Sequence, residues 1–209
     1  MAQDAPSLSA RRFTIGGGIV WSGTYEIGDT AAELRGNGIG SNPPVFTLFN
    51  AQSRITSMVA PEVRVGYSVT RRTALEFSLA YSRPRIAVAI SEDAEASSQE
   101  MPGEKLEQYV IGGAVTWQLP LRAGNRVSPF VIGGGAFLRQ LHEDRTLAET
   151  GQLFYAGAGA RYFVRGGHGP GRSLGARADA RVNFRRNGID FEDRMRTYPT
   201  LSLAAFVGF

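Results

Sequence analysis

The sequence LSLAAFVGF, residues 201–209, decides the fold because one set of apolar residues recurs in it at every second position. A period of two is typical of a β-strand whose two faces meet different surroundings. Soluble domains more often have polar ends, so this stretch predicts a strand that pairs within a closed sheet. The residues of its apolar face are Leu201, Leu203, Ala205, Val207 and Phe209.

The same alternation recurs in eight segments of the chain. They span roughly residues 11–23, 55–69, 73–84, 106–119, 127–140, 152–164, 173–185 and 197–209. Seven of them divide into an apolar face and a face of small or polar residues. The segment 127–140 does not divide in this way, and we expect a β-bulge at its glycines, 133–135, to shift the phase.

The connections between these segments alternate between long and short. Residues 24–54 and 85–105 form long polar connections, whereas 70–72 and 120–126 are short. Outer-membrane barrels have short periplasmic turns and longer outer loops, and their strands need only about 9–11 residues to cross the bilayer. The pattern predicts an all-β fold, an eight-stranded antiparallel up-and-down transmembrane β-barrel over 11–209, after a disordered mature N-terminus at 1–10.

A soluble lipocalin-like, ligand-binding barrel would also show this alternation. Two features favour the membrane. The non-apolar face consists mainly of Gly, Ala, Ser, Thr and Gln, whereas a soluble exterior carries many charges. Large aromatic residues lie at segment ends, as in the interfacial girdles of membrane barrels. The predicted girdle residues are Phe13, Trp21, Tyr67, Tyr81, Tyr109, Trp117, Phe154, Tyr162 and Phe209.

The polar face carries a small set of charges that would point into the barrel. These are Glu62, Arg64, Glu76, Arg161, Arg177, Asp179 and Arg181. Four arginines against three acids predict a network of paired charges that fills the lumen and stabilises the fold. The alternative is a gate in a narrow channel for small solutes or ions.

Composition excludes several kinds of site. The chain has no cysteine and only two histidines, His142 and His168, so a multi-histidine or thiolate metal site is excluded and no cofactor is expected. Both histidines are expected to be solvated, and no catalytic residue is predicted. A lipid-modifying enzyme using His142 is the weaker alternative, because no serine lies close to it in sequence. The net charge is +4, but the arginines are interleaved with acids, which argues against nucleic-acid binding.

The C-terminal third resembles a known family. The alternating segment that ends in Phe209 resembles the signal read by the outer-membrane barrel assembly machinery. Together with GAGARYF (157–163) and LGARADARVNF (174–184), it is similar to the last strands of small barrels such as the transmembrane domain of outer membrane protein A. The resemblance implies a monomer in the bacterial outer membrane, with the lipid bilayer, lipopolysaccharide and the assembly machinery as partners. The expected role is structural, or surface interaction through 24–54 and 85–105.

Overall fold

The computed structural model describes residues 13–35, 45–91, 99–120, 126–142, 147–165, 172–190 and 194–209. The predicted disordered segment 1–10 lies outside these residues. Among the described residues, no helix is long and apolar enough to cross a membrane. The strands are β1 (Phe13–Ser22), β2 (Tyr25–Arg35), β3 (Val45–Ile55), β4 (Met58–Ser68), β5 (Thr73–Ser82), β6 (Arg85–Ser91), β7 (Gln99–Lys105), β8 (Glu107–Gln118), β9 (Val127–Leu141), β10 (Ala148–Arg165), β11 (Ser173–Asn187) and β12 (Arg196–Gly208).

Eight of these strands form a closed antiparallel barrel in the order β1-β12-β11-β10-β9-β8-β5-β4. They correspond to the eight predicted segments, so the predicted fold class is confirmed. The first strand closes the ring by pairing on both sides, so that Ile15 lies opposite Val207 on β12 and Val65 on β4. Closure matters because a hydrocarbon environment offers no hydrogen-bond partner to an unpaired strand edge.

The apolar residues of the barrel strands point outward. On β1 the odd-numbered residues are exposed, and on β4 the exposed residues Val59, Val63 and Val65 alternate with buried ones. The inward residues include the buried charges. A soluble barrel would have the opposite arrangement, so the lipocalin-like alternative is wrong, and the outward belt is suited to lipid.

The two long connections are not loops, which corrects the prediction for 24–54 and 85–105. They contain the hairpins β2–β3 and β6–β7, which pair through β3 and β6 into a four-stranded sheet in the order β2-β3-β6-β7. Three register irregularities interrupt these hairpins, for example between Glu26 and Gly28. Because each bulge breaks the period of two, the hairpins lack the alternation that marked the barrel strands.

The bulge predicted at 133–135 is also wrong. Strand β9 pairs with β10 without a register shift from Val127 to Leu141. Its phase was ambiguous because its inward face carries Phe130, Ile132 and Leu138, so both faces are apolar. In the barrel, the register shift that the structure records lies between Phe163 and Arg165 on β10.

The strands connected by the short sequence segments 69–72, 119–126 and 166–172 meet those segments at one end of the barrel, and the four-stranded sheet lies at the other. The end with the short turns is the periplasmic one in outer-membrane barrels. We call it the inner end and the end with the sheet the outer end. Strands β9, β10 and β11 are 15, 18 and 15 residues long, so they extend beyond the membrane at the outer end.

Candidate functional site: a packed lumen below an outer sheet

The seven charges predicted for the lumen all lie inside the barrel and are buried. They come from four strands: β4, β5, β10 and β11. Residues two apart in a strand share a face, which is why Arg177, Asp179 and Arg181 project together from β11. Strand β4 places Glu62 and Arg64 side by side in the same way.

Asp179 is the centre of this network. Its side chain has no exposed surface, and three guanidinium groups donate to it. Arg64 Nη1 lies 2.8 Å from Oδ1, Arg177 Nε lies 2.8 Å from the same oxygen, and Arg181 Nε lies 2.7 Å from Oδ2. The carboxylate therefore joins β4 to β11 across the lumen.

Glu76 and Glu62 complete the network on either side of Asp179. Glu76 Oε1 accepts from Arg161 Nη2 at 2.5 Å, and Arg177 Nη1 donates to both Glu76 oxygens, to Oε1 at 2.5 Å and to Oε2 at 2.7 Å. Glu62 Oε2 accepts from Arg64 Nε at 2.7 Å. Each carboxylate thus has at least one charged donor, which offsets the cost of taking it out of water.

Aromatic rings inside the barrel contact the arginines, and the sequence did not predict them. Arg177 Cζ lies 4.4 Å from the centroid of the Phe130 ring, and Arg181 Cζ lies 5.1 Å from that of Tyr155. Such cation–π contacts stabilise a desolvated cation. They also account for Arg177 Nη2, which is buried and has no hydrogen-bond partner. The parity of β10 indicated that Tyr155 turns inward, whereas the ambiguous phase of β9 gave no such signal for Phe130.

Two small cavities lie beside the network. One, of about 50 Å³, lies on the outer side and is lined in part by Glu62, Tyr155, Arg181 and Tyr198. The other, of about 30 Å³, contains Glu76, Arg161 and Phe206 in its wall. Volumes of this size hold a few water molecules at most. The seven charged residues beside these cavities are each at most 8% exposed, so they fill the lumen at this level.

A second polar cluster, also missed from sequence, closes the outer mouth. Arg185 on β11 is fully buried, and Nη1 donates to Tyr25 Oη at 2.6 Å. Nη2 donates to Gln140 Oε1 at 2.9 Å and to the carbonyl of Ile189 at 3.0 Å. Tyr25 also stacks on Tyr198, with ring centroids 4.5 Å apart. Burial raises the pKa of the Tyr25 phenol, and the positive charge of Arg185 opposes that shift.

The base of the four-stranded sheet is fixed to this mouth. Ile27, Ile55 and Leu106 have no exposed surface and belong to one apolar cluster with Tyr25 and Tyr198. At the base, Gly23 N, just before β2, donates a hydrogen bond to the carbonyl of Pro199 on β12, at 2.9 Å. The hairpins are therefore held rigidly where they leave the barrel.

The far end of the β2–β3 hairpin is exposed and apolar. Leu34 and Phe46 lie opposite each other across the two strands and are 55% and 57% exposed. Val45 and Leu48 on β3 are exposed beside them. Cross-strand neighbours share one face of a sheet, so Leu34 and Phe46 form a continuous apolar surface, which we call the tip pair.

The nine predicted girdle residues lie at the two ends of the barrel. Trp21, Tyr81, Tyr109 and Phe154 lie near the outer end, where the rings of Tyr81 and Tyr109 are 5.0 Å apart. The inner-end residues are Phe13, Tyr67, Trp117, Tyr162 and Phe209. The rings of Phe13 and Tyr67 are 4.9 Å apart there. The barrel therefore has a belt of aromatic residues at each end, with aliphatic residues between the two belts. This is the arrangement of the interfacial girdles that mark the two surfaces of a bilayer.

The residues predicted to signal assembly lie on the outward face of β12. Leu201, Leu203 and Val207 are exposed, and Phe209 N donates to the carbonyl of Phe13 at 2.8 Å. Their recognition by the assembly machinery stays a prediction. His142 was expected to be solvated, but its side chain is only 18% exposed and Nδ1 lies 2.9 Å from Glu104 Oε2. His168 lies outside the described residues.

A closed eight-stranded antiparallel barrel with an exposed apolar belt, aromatic girdles and a packed polar lumen defines an integral outer-membrane β-barrel, and this protein has that fold and that location. No family model and no curated protein sequence matches the chain. Among the described residues, no group of three potential metal ligands occurs.

Two solved outer-membrane proteins are similar to this chain. The outer membrane protein OprG from Pseudomonas aeruginosa is 10% identical, with a TM-score of 0.50, over 96% of this chain and 97% of that one. Ail, the attachment invasion locus protein of Yersinia pestis, is 12% identical, with a TM-score of 0.46, over 95% and 98%. At such identities the likeness shows the fold alone. The narrower likeness to outer membrane protein A stays a resemblance of sequence.

Proposed function

We propose that this protein is a non-conducting barrel that presents the four-stranded sheet β2-β3-β6-β7 as an interaction surface outside the membrane. The exposed tip pair, Leu34 and Phe46, carries the proposal, because it lies at the far end of a sheet whose base is buried. Large apolar side chains exposed on the same face are typical of contact sites. The proposal assigns the protein no catalytic activity.

The packed lumen supports the non-conducting part of the proposal. Three ion pairs join different strands inside the lumen, and Arg185 occupies the outer mouth. The three pairs are Arg64–Asp179, Arg161–Glu76 and Arg177–Glu76. The two cavities beside them, of about 50 and 30 Å³, hold only a few water molecules. A narrow channel is the competing function, and it would require these groups to move apart.

Planar-bilayer recordings test this part. We expect the purified protein to produce no stable unit steps of conductance, because hydrated ions do not fit between the paired side chains. A porin inserted into the same bilayer serves as the positive control. Stable unit steps from the purified protein would contradict the proposal and favour the channel.

Single-cysteine labelling tests the presentation of the sheet, and the chain has no native cysteine to interfere. Thr47 on β3 is exposed beside the tip pair, and Val69 is exposed in the turn after β4 at the inner end. In intact cells, a membrane-impermeant maleimide should label Thr47→Cys and leave Val69→Cys unlabelled. Both should react after the outer membrane is permeabilised. Equal labelling of both variants in intact cells, or labelling of Val69→Cys alone, would refute the assignment of the sheet to the cell surface.

A further inference from the structure

The inner end of the barrel carries many arginines and no acidic side chain in its turns. The segments 69–72, 119–126 and 165–172 contain no aspartate or glutamate. The arginines described there are all exposed: Arg71, Arg72, Arg126, Arg165 and Arg172. The sequence pattern suggested arginines interleaved with acids, but in these three segments the charged side chains have one sign.

These arginines form a continuous arc. The three turns connect β4 to β5, β8 to β9 and β10 to β11, and these six strands are consecutive neighbours in the barrel. Backbone bonds join the turns to the adjacent strands, from Gln118 N to the carbonyl of Arg72 at 2.7 Å and from Phe163 N to that of Arg126 at 2.8 Å. Within the described part of the chain, none of the five guanidinium groups has an ion-pair partner.

The arc lies at the depth of lipid headgroups. Tyr67, Trp117 and Tyr162 of the inner girdle precede the three turns by only a few residues. Girdle rings lie at the boundary between hydrocarbon and headgroups, so the arginines beyond them reach the phosphate level. Guanidinium groups bind phosphate with paired hydrogen bonds, and clustered basic residues beside a bilayer attract anionic lipids.

We propose that this arc binds the phosphate groups of anionic phospholipids in the leaflet at the inner end, and so enriches those lipids around the barrel. Charge complementarity and position favour a lipid over a soluble anion, because the groups lie next to the girdle rather than in a pocket. The arc binds lipids of the leaflet at the inner end only, so the four-stranded sheet at the outer end remains available for other contacts.

The two tryptophans make the proposal measurable, since Trp117 lies at the inner end and Trp21 at the outer end. Trp21→Phe and Trp117→Phe each leave one reporter. Each is reconstituted into vesicles of phosphatidylcholine with a minority of phosphatidylglycerol, one of the two lipids carrying brominated chains that quench nearby tryptophan. We expect about fivefold local enrichment of phosphatidylglycerol near Trp117, the preference that one arginine near the surface provides, and none near Trp21.

A matched pair of triple variants identifies the residues responsible. Replacing Arg72, Arg126 and Arg172 with Gln should reduce the enrichment at Trp117, because only Arg71 and Arg165 of the five remain. Replacing three exposed outer-end arginines should leave it unchanged; these are Arg35, Arg139 and Arg186. A gel shift between boiled and unboiled samples verifies that each variant is folded.

Salt gives a second readout that needs no substitution at the arc. In the Trp21→Phe protein, raising the ionic strength should reduce the enrichment, because salt screens exposed charges. Equal quenching at Trp21 and Trp117 would overturn the proposal. Enrichment that is undiminished in the inner-end triple variant, or that salt does not change, would also overturn it.

Discussion

Replacement of Asp179 with alanine is expected to destabilise the folded barrel by about 3–5 kcal/mol, the cost of leaving buried charges without their partner. Three guanidinium groups donate to this carboxylate, from Arg64, Arg177 and Arg181. The seven lumen charges are four arginines and three acids, 4 − 3 = +1, and the substitution raises the excess to 4 − 2 = +2. The temperature at which the unboiled, faster-migrating form is lost in detergent, and urea unfolding in vesicles, would measure the effect.

Removal of an arginine should cost less. In Arg177→Ala, Glu76 keeps Arg161 as a donor, and Asp179 keeps Arg64 and Arg181. The double variant Asp179→Ala/Arg177→Ala restores the excess charge to +1, so we expect it to be more stable than Asp179→Ala alone. Arg83→Ala is the control, because the Arg83 side chain is 66% exposed and ion pairs of exposed side chains contribute little. If Asp179→Ala unfolds together with Arg83→Ala, the network does not stabilise the barrel.

The barrel could be predicted from sequence because each of its strands must satisfy two different solvents. Lipid selects apolar residues on one face, and a narrow lumen selects small or charged residues on the other. On β4 and β11 this produces strict alternation, which also turned Glu62, Arg64, Arg177 and Asp179 inward. The inward and outward faces of strand β9 could not be assigned from sequence because Phe130 and Leu138 make its inward face apolar too.

The outer sheet could not be predicted because no solvent imposes a period on it. Its hairpins stand in water at their far ends, and bulges change the phase within β2 and β6. The pairing of β3 with β6 joins segments more than 30 residues apart, for example Ile55 with Ile86, which local patterns do not encode. The partners of Arg185 come from three separate parts of the chain, so this cluster also depends on the closed fold.

Gly18→Val is expected to prevent closure of the barrel or to destabilise it by at least about 1–3 kcal/mol, the usual cost of forcing extra atoms into a packed site. Gly18 faces inward on β1 and lies opposite Ala204 on β12. A Cβ atom at this position would lie 2.5 Å from Ala204 Cα and 2.7 Å from Ala204 Cβ, and would also overlap the carbonyl of Leu203. These are mainly backbone atoms, so relief requires β1 and β12 to separate at the seam that closes the ring.

Gly17→Val is the matched control, because it makes the same substitution one residue away on the opposite face. A Cβ atom at Gly17 would come within 4 Å only of the carbonyl of Glu62, at 3.9 Å. Valine favours strands, and here its side chain would join the lipid-facing belt, so the variant should fold at least as well as the parent. The fraction that shows the gel shift after refolding into detergent compares the two variants. Gly17 and Gly18 are neighbours on β1 and differ in the face to which they point. Equal folding of the two variants would therefore mean that the assignment of these faces is wrong.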